Sequence, residues 1–279
     1  MYKATIIAAL TAMVVLVGTT SASSAPIRSG FDASGLGETD DGSSGPTDLG
    51  FSLDFFGVMQ NSVYVNNNGN ITFDAALSQF SPSPLVDINH SIITPFFADV
   101  DTANDGIGDS VTYGQGQVNG RDAFGVNWLN VNYYNNNTYE DQLNNFQLVL
   151  VDRSDTGVGN FDIEFNYGSI LWEAGIASGG DTLGQGGNSA RAGFSAGSGA
   201  AGSYFELEGS GVNGAFIDGG AFALGENSNI GIDGRFLFSV RGGALTEPEV
   251  PLIPSPLPAG LPLLIGGIGL LAFLRHKRA

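Results

Sequence analysis

The sequence of 279 residues contains no cysteine. Disulfide bonds therefore cannot stabilise the fold, and thiol nucleophiles and cysteine-ligated zinc sites are excluded. Animal extracellular modules of this size often carry disulfides, whereas this chain has 42 glycines and many asparagines instead. The composition favours a bacterial exported protein.

Histidine is also scarce, since only His90 and His276 occur in the chain. A Ser-His-Asp triad would have to use His90, which we expect instead to be a turn residue bonded to backbone groups. Neither the glycine-rich phosphate-binding motif nor the His-Glu-x-x-His zinc motif is present. Phosphate binding and zinc hydrolysis therefore have no signature in this sequence.

Basic residues are also few compared with acidic ones, and the net charge at pH 7 is −18. All 28 acidic residues but only six of the ten basic ones lie between the two terminal segments described below, which leaves that part at −22. Such a balance repels phosphate backbones. We therefore expect no nucleic-acid partner.

Sustained helical periodicity is missing from residues 51–240, where glycine is too frequent for long helices. Short alternating or apolar runs recur there between turn residues. We predict an all-β fold, with a single sandwich-like β domain over residues 51–240. The predicted strands include 110–114, 123–131, 145–151, 160–166, 191–195, 204–207 and 235–240.

The most specific local pattern is a hairpin followed by a strand that contains proline. Val63–Val65 and Ile71–Phe73 flank an Asn-Asn-Gly turn, whose residues tolerate positive φ, so the two runs should pair. Pro95 removes one ladder donor from the apolar run Ile92–Val100. That run is predicted to be an edge strand or a strand with a break.

These two segments resemble the paired motifs of the nidogen-like extracellular (NIDO) domain. Further matches follow in the family's order at residues 128–131, 145–150, 161–172 and 192–195, and Phe97 stands where the family usually has Trp. The resemblance covers roughly residues 50–240. It implies an extracellular domain.

The segments outside this domain indicate export. Residues 1–25 combine Lys3, a short apolar run and small residues up to Ala25, as in a secretory signal peptide. Residues 26–50 are a lead-in rich in Gly, Ser and Asp, which we expect to be a loop or linker. Residues 241–258 form a stiff proline-rich spacer.

Residues 259–279 complete a pattern that resembles the PEP-CTERM class of sorting signals, in its Val-Pro-Leu-Pro-Ala variant. Ser255 stands where that variant has Val, and an apolar run follows the motif. The motif is Pro256, Leu257, Pro258 and Ala259, and the basic tail is Arg275, Lys277 and Arg278. The basic tail should stay cytoplasmic while the apolar helix stops translocation. The resemblance implies an exosortase-like protease as partner, and transient inner-membrane anchoring in a Gram-negative bacterium.

One acidic loop could bind a metal ion. Its carboxylates are Asp99, Asp101, Asp105 and Asp109, and glycines lie between them. Calcium takes six to eight oxygen ligands of this kind, although the spacing is not that of an EF-hand. The alternatives are a calcium site and an ordinary Asx-rich turn.

Two other patterns have alternative interpretations. The pairs Asp162/Glu164 and Glu206/Glu208 each share one strand face, where two acids could hydrolyse a polysaccharide, but we expect a solvated strand face instead. The stretch Tyr133–Tyr139 could stack a sugar ring or form a long hairpin loop.

We favour a non-catalytic envelope or matrix protein, acting on extracellular polysaccharide or surface proteins in adhesion or biofilm. The alternative is a secreted polysaccharide hydrolase.

Overall fold

The computed structural model describes residues 26–103, 108–135 and 142–246. The predicted signal peptide (1–25), most of the spacer and the sorting segment (259–279) lie outside these residues. The fold is all-β, as predicted, and two antiparallel sheets form a sandwich-like domain. Among the described residues, no helix is long and apolar enough to cross a membrane.

The larger sheet has eight strands in the described part of the chain. Their order is β1-β7-β8-β9-β10-β13-β14, and β6 pairs with β8 beside this path. The strands are β1 (Ser34–Gly35), β6 (Val100–Asp101), β7 (Thr112–Val118), β8 (Arg121–Tyr133), β9 (Asn144–Asp152), β10 (Phe161–Tyr167), β13 (Arg235–Arg241) and β14 (Ala244–Thr246). Valine, phenylalanine and leucine are frequent along the central strands, and most residues of β9 and all residues of β10 are buried.

The smaller sheet has six strands in the order β12-β11-β5-β4-β3-β2. They are β2 (Thr47–Phe55), β3 (Val58–Asn66), β4 (Asn70–Thr72), β5 (Ile92–Phe97), β11 (Arg191–Ser195) and β12 (Tyr204–Glu206). A single 3-10 turn, Ile176–Ser178, completes the regular structure of the described residues.

Aromatic side chains dominate the core between the sheets. Phe96 packs on Phe146 and Trp172 with ring-centroid distances of 5.1 and 5.6 Å. Trp128 stacks on Phe146 at 5.2 Å. Such pairs add stabilisation beyond the area they bury, so the cysteine-free fold is held by a large aromatic core.

The predicted hairpin is confirmed. Val65 pairs with Ile71 and Asn66 with Asn70, so Asn67, Asn68 and Gly69 form the turn. Gly69 has φ 73°, which glycine adopts without steric cost. The turn lies inside the protein rather than at its surface, since all three turn residues are buried.

Of the two alternatives for the proline-containing strand, the edge position is wrong. β5 lies inside the smaller sheet, paired with β4 on one side and β11 on the other. The ladder register shifts between Arg191 and Gly193, opposite the Pro95 region. This irregularity accommodates the missing N–H donor, and the Pro95 carbonyl accepts a hydrogen bond from Tyr167 Oη at 2.7 Å.

The start of the lead-in, for which we expected a loop or linker, packs against the domain. Residues 26–33, here called the strap, cross the outer face of the larger sheet. Gln147 Nε2 donates to the Arg28 carbonyl at 2.8 Å, and Asn127 Nδ2 donates to the Phe31 carbonyl at 3.0 Å. Phe31 is buried against Gly125, where an added Cβ would lie 2.3 Å from the Phe31 ring. β2 also begins before the predicted domain start at Phe51.

Candidate functional site

The predicted calcium ligands fall in different environments. Asp99 and Asp101 are buried, with exposed fractions of 2% and 4%. Asp109 is exposed, and its Oδ2 accepts a hydrogen bond from Asn130 Nδ2 at 2.9 Å. Asp105 lies outside the described residues.

Asp99 lies beside two acids of the lead-in. The carboxylates of Asp40, Asp41 and Asp99, here called the acidic cluster, each offer an oxygen within 4.8 Å of the others. An antiparallel bridge joins Asp40 to Asp101, and Asn68 Nδ2 donates to Asp41 Oδ1 at 2.6 Å. The lead-in and the buried hairpin turn together position the cluster.

Sequence reasoning missed Asp40 and Asp41. They are far from Asp99 along the chain and belong to a segment whose composition is typical of loops. The available signal was the Asp-Asp-Gly triplet at residues 40–42. That triplet also fits an ordinary turn, so the juxtaposition with Asp99 required the fold.

Burial and mutual repulsion make the acidic cluster hard to ionise fully. Burial and, to a smaller extent, the charges of Asp40 and Asp41 together raise the pKa of Asp99 from 3.8 to about 7, against a lowering hydrogen bond from Ser178. Burial and the charges of Asp101 and Asp41 raise the pKa of Asp40 to about 6. The Ser178 Oγ donor lies 3.3 Å from Asp99 Oδ2, a long and uncharged contact. At neutral pH, binding of a proton or a cation would therefore stabilise the acidic cluster.

No arginine of the described residues supplies that cation. The described part contains six arginines and no lysine, and every arginine forms an ion pair elsewhere. The pairs are Arg28 and Arg235 with Glu164, Arg153 and Arg241 with Asp162, Arg121 and Arg153 with Asp155, and Arg191 with Glu206. The acidic cluster therefore has no arginine counter-ion within the described part of the chain.

The Asp162/Glu164 pair does not form the solvated strand face that we expected. The two residues are only 7% and 3% exposed, because arginines and the strap cover this side of β10. Arg153 Nη1 donates to Asp162 Oδ2 at 2.8 Å, and Arg28 Nη2 donates to Glu164 Oε2 at 2.8 Å. These charge-assisted bonds give both carboxylates a structural role.

Glu206 also has a cross-linking role. Its Oε1 accepts hydrogen bonds from Arg191 Nη1 at 3.0 Å and from the Leu85 backbone N–H at 2.9 Å. Glu208 is exposed. The two members of this predicted pair therefore have different surroundings.

We expected the His90 side chain to hydrogen-bond to backbone groups, but it contacts a carboxylate instead. Its Nδ1 lies 2.8 Å from Asp74 Oδ2, and both side chains are partly exposed. Tyr133, the first residue of the predicted sugar-stacking stretch, is buried in the core. Its hydroxyl donates to the Thr182 carbonyl at 2.7 Å, so it cannot stack on an external ring.

Hydrogen bonds join the buried hairpin turn to β5 and β8, so three of the segments that carry the sequence motifs meet in the core. Trp128 Nε1 donates to the Asn67 carbonyl at 3.0 Å, and Thr94 Oγ1 donates to the Gly69 carbonyl at 2.8 Å. A family model described as the nidogen-like domain matches residues 61–242. The chain belongs to the nidogen-like domain family. The strap and two members of the acidic cluster, Asp40 and Asp41, lie upstream of the matched residues.

Curated relatives match this chain along a small part of much longer chains. Alpha-tectorin of Mus musculus is 35% identical in an alignment of 229 residues that covers 74% of this chain and 10% of alpha-tectorin. Alpha-tectorin of Homo sapiens is 34% identical over the same shares. Nidogen of Drosophila melanogaster is 28% identical in an alignment of 211 residues that covers 67% of this chain and 14% of nidogen. The chain thus spans only 10–14% of the length of these relatives. No solved structure matches the chain.

Proposed function

We propose that this nidogen-like protein is an exported, non-catalytic component of the cell envelope or extracellular matrix that mediates adhesion or matrix interactions. The observation that carries the proposal is the family match over residues 61–242, which includes most of the described β structure. The ion pairs support it, because Asp162, Glu164 and Glu206 cross-link the fold instead of facing a substrate.

The finer proposal places the protein in a Gram-negative bacterium and rests on the terminal segments. We expect an exosortase-like protease to act near Pro258 and Ala259 after transient anchoring in the inner membrane. The apolar run of 16 residues from Ala259 to Leu274 is shorter than the roughly 20 residues that cross a bilayer untilted. A short span suits a temporary anchor.

Cell fractionation combined with intact-mass analysis tests export and processing together. The protein expressed from its full-length sequence should be recovered in the outer-surface or matrix fraction, without residues 275–279. A variant with Pro256→Ala and Pro258→Ala is the control, and it should keep the basic tail and remain in the membrane fraction. Cytoplasmic recovery would contradict export, whereas an exported protein that retains Arg275 would contradict processing alone.

A substrate screen tests the absence of catalysis. We expect no turnover of polysaccharide or ester substrates, because the strand-face acids form structural pairs or lie at the surface without a second positioned acid. The screen should use the purified protein with a known glycoside hydrolase as a positive control. Reproducible turnover that a single Asp→Ala or Glu→Ala change abolishes would refute the non-catalytic assignment.

We also propose that the acidic cluster of Asp40, Asp41 and Asp99 binds calcium, so that of the predicted ligands Asp99 is joined by two acids of the lead-in. Three carboxylates can supply up to six oxygens, which is the hard-ligand set that calcium prefers. A bound cation would neutralise repulsion that no arginine of the described residues relieves. It would stabilise the folded state by mass action.

The calcium proposal predicts a pH-dependent effect of Asp99→Asn. The folded pKa of Asp99 is about 7 against 3.8 unfolded, so between these values the folded state binds more protons than the unfolded state. The Asp99 contribution to stability is therefore favourable at low pH and decreases as pH rises from about 4 to about 7. Without calcium, Asp99→Asn and wild type should melt alike at pH 4, and the variant should melt several degrees higher at pH 8.

Added calcium should reverse the order at pH 8, because only wild type keeps the full ligand set. The melts are measured by calorimetry with chelator or with millimolar calcium. Asp181→Asn is the matched control, since Asp181 is exposed and lies outside the acidic cluster. Equal calcium shifts in wild type and Asp99→Asn would contradict the site.

A further inference from the structure

The strap leaves an open groove where it passes the β7 and β8 strands. This groove has a volume of about 670 Å³, and it is distinct from a smaller cavity of about 370 Å³ that no strap residue lines. That larger volume, here called the strap groove, falls within the range of about 300–1,000 Å³ for small-molecule sites. Its lining includes Ser29, Asp32, Asp109, Ser110, Thr112 and Leu129.

Several polar groups of the strap groove are available to a ligand. Among the described residues, the side chains of Ser29, Asp32 and Ser110 form no hydrogen bond. Of the two carboxylate oxygens of Asp109, only Oδ2 accepts a side-chain hydrogen bond among the described residues, from Asn130 Nδ2. Thr112 Oγ1 accepts from Asn127 Nδ2 at 3.1 Å, which leaves its own hydroxyl proton to donate. The groove therefore presents both carboxylate acceptors and hydroxyl donors.

The charge of the groove restricts the class of ligand. Arg28 also lines it, but the Arg28 Nε and Nη2 groups both donate to Glu164. The remaining charges, on Asp32 and Asp109, are negative and exposed. An anionic ligand would be repelled. A neutral polyol could instead donate hydroxyls to the two carboxylates, accept from Ser29, and pack its C–H groups on Leu129.

We propose that the strap groove binds a neutral oligosaccharide segment of an extracellular polysaccharide. This assignment rests on the proposed matrix function and names the chemical class of the partner. The strap forms one wall, so the segment upstream of the family match creates the site. The acidic domain thus recognises sugar hydroxyls through carboxylates rather than through exposed aromatic rings.

Isothermal titration calorimetry on the full-length protein tests the groove. The probes are cellotetraose, maltotetraose and mannotetraose, with tetragalacturonate as the anionic counterpart. We expect saturable binding of at least one neutral probe and none of tetragalacturonate. Asp32→Asn and Asp109→Asn should each weaken that binding about tenfold, because each removes a charged acceptor. Ser110→Trp should abolish it by filling the groove.

Asp122→Asn is the matched control, because Asp122 is an exposed acid on β8 that lines the smaller cavity and its replacement changes the net charge equally. Its affinity should stay within about twofold of wild type. Failure of all three neutral probes to bind, preference for tetragalacturonate, or equal weakening by Asp122→Asn and Asp32→Asn would overturn the proposal. Matrix localisation with no saccharide binding would refute the groove alone, whereas absence from the matrix would refute the proposed function.

Discussion

Replacing Glu164 by Ala should lower the free energy of unfolding by about 3–5 kcal/mol, the usual cost of removing one partner from a buried ion pair. The Glu164 side chain is only 4% exposed and accepts from the Arg28 guanidinium in a two-bond contact. Arg235 Nε lies 3.4 Å from the same carboxylate. The variant would leave two guanidinium groups without their shared counter-ion, and burial already lowers the pKa of Arg235.

Urea denaturation at neutral pH measures this effect. Asp155→Ala is the control, because Asp155 also pairs with two arginines, Arg121 and Arg153, but is exposed to solvent. Exposed ion pairs contribute little, so the control should unfold close to wild type. Glu164→Gln should fall between the two, since it keeps an acceptor but loses the charge. Similar losses in Glu164→Ala and Asp155→Ala would contradict the buried role of Glu164.

The Glu164 network explains how a strongly acidic domain keeps its N-terminal strap in place. Arg28 joins the strap to β10, and Arg235 Nη2 donates to the Pro26 carbonyl at 2.7 Å. Each arginine of the described residues is used within the fold, so the surface remains negative. A negative surface of this kind repels polyanions.

Strand positions in the central part of the domain could be predicted from local pattern. The runs predicted at 145–151 and 191–195 correspond to β9 and β11, because short apolar runs bounded by turn residues are typical of strands. The Asn-Asn-Gly turn predicted the hairpin, because asparagine and glycine tolerate the positive φ that a tight turn needs. These features depend on residues that are close together in sequence.

The strap and the acidic cluster could not be predicted in the same way. Residues 26–50 are polar and rich in glycine, and composition cannot reveal that Gly125 leaves space for Phe31 or that Gln147 bonds to the strap backbone. The Asp162/Glu164 pair was misjudged for the same reason. Its solvation depends on arginines distant in sequence, at positions 28, 153, 235 and 241.

The hairpin turn should be the most sterically sensitive backbone position of the family motif. Gly69 has φ 73°, and a Cβ there would lie 1.7 Å from the Phe96 carbonyl oxygen. Gly69→Ala therefore adds a backbone clash to the cost of a left-handed conformation, and the two together should destabilise the protein by about 3–5 kcal/mol. The clash would also disturb the contact between the Gly69 carbonyl and Thr94 Oγ1, which joins the turn to β5.

Gly120→Ala separates the two contributions. Gly120 has nearly the same conformation, φ 77°, but a Cβ there would meet nothing within 4 Å. This variant should lose only about 1–2 kcal/mol, the conformational cost alone. Chemical denaturation of both variants gives the steric contribution of Gly69 as the difference. If Gly69→Ala were no less stable than Gly120→Ala, the close approach of β5 would not explain why the motif places glycine in this buried turn.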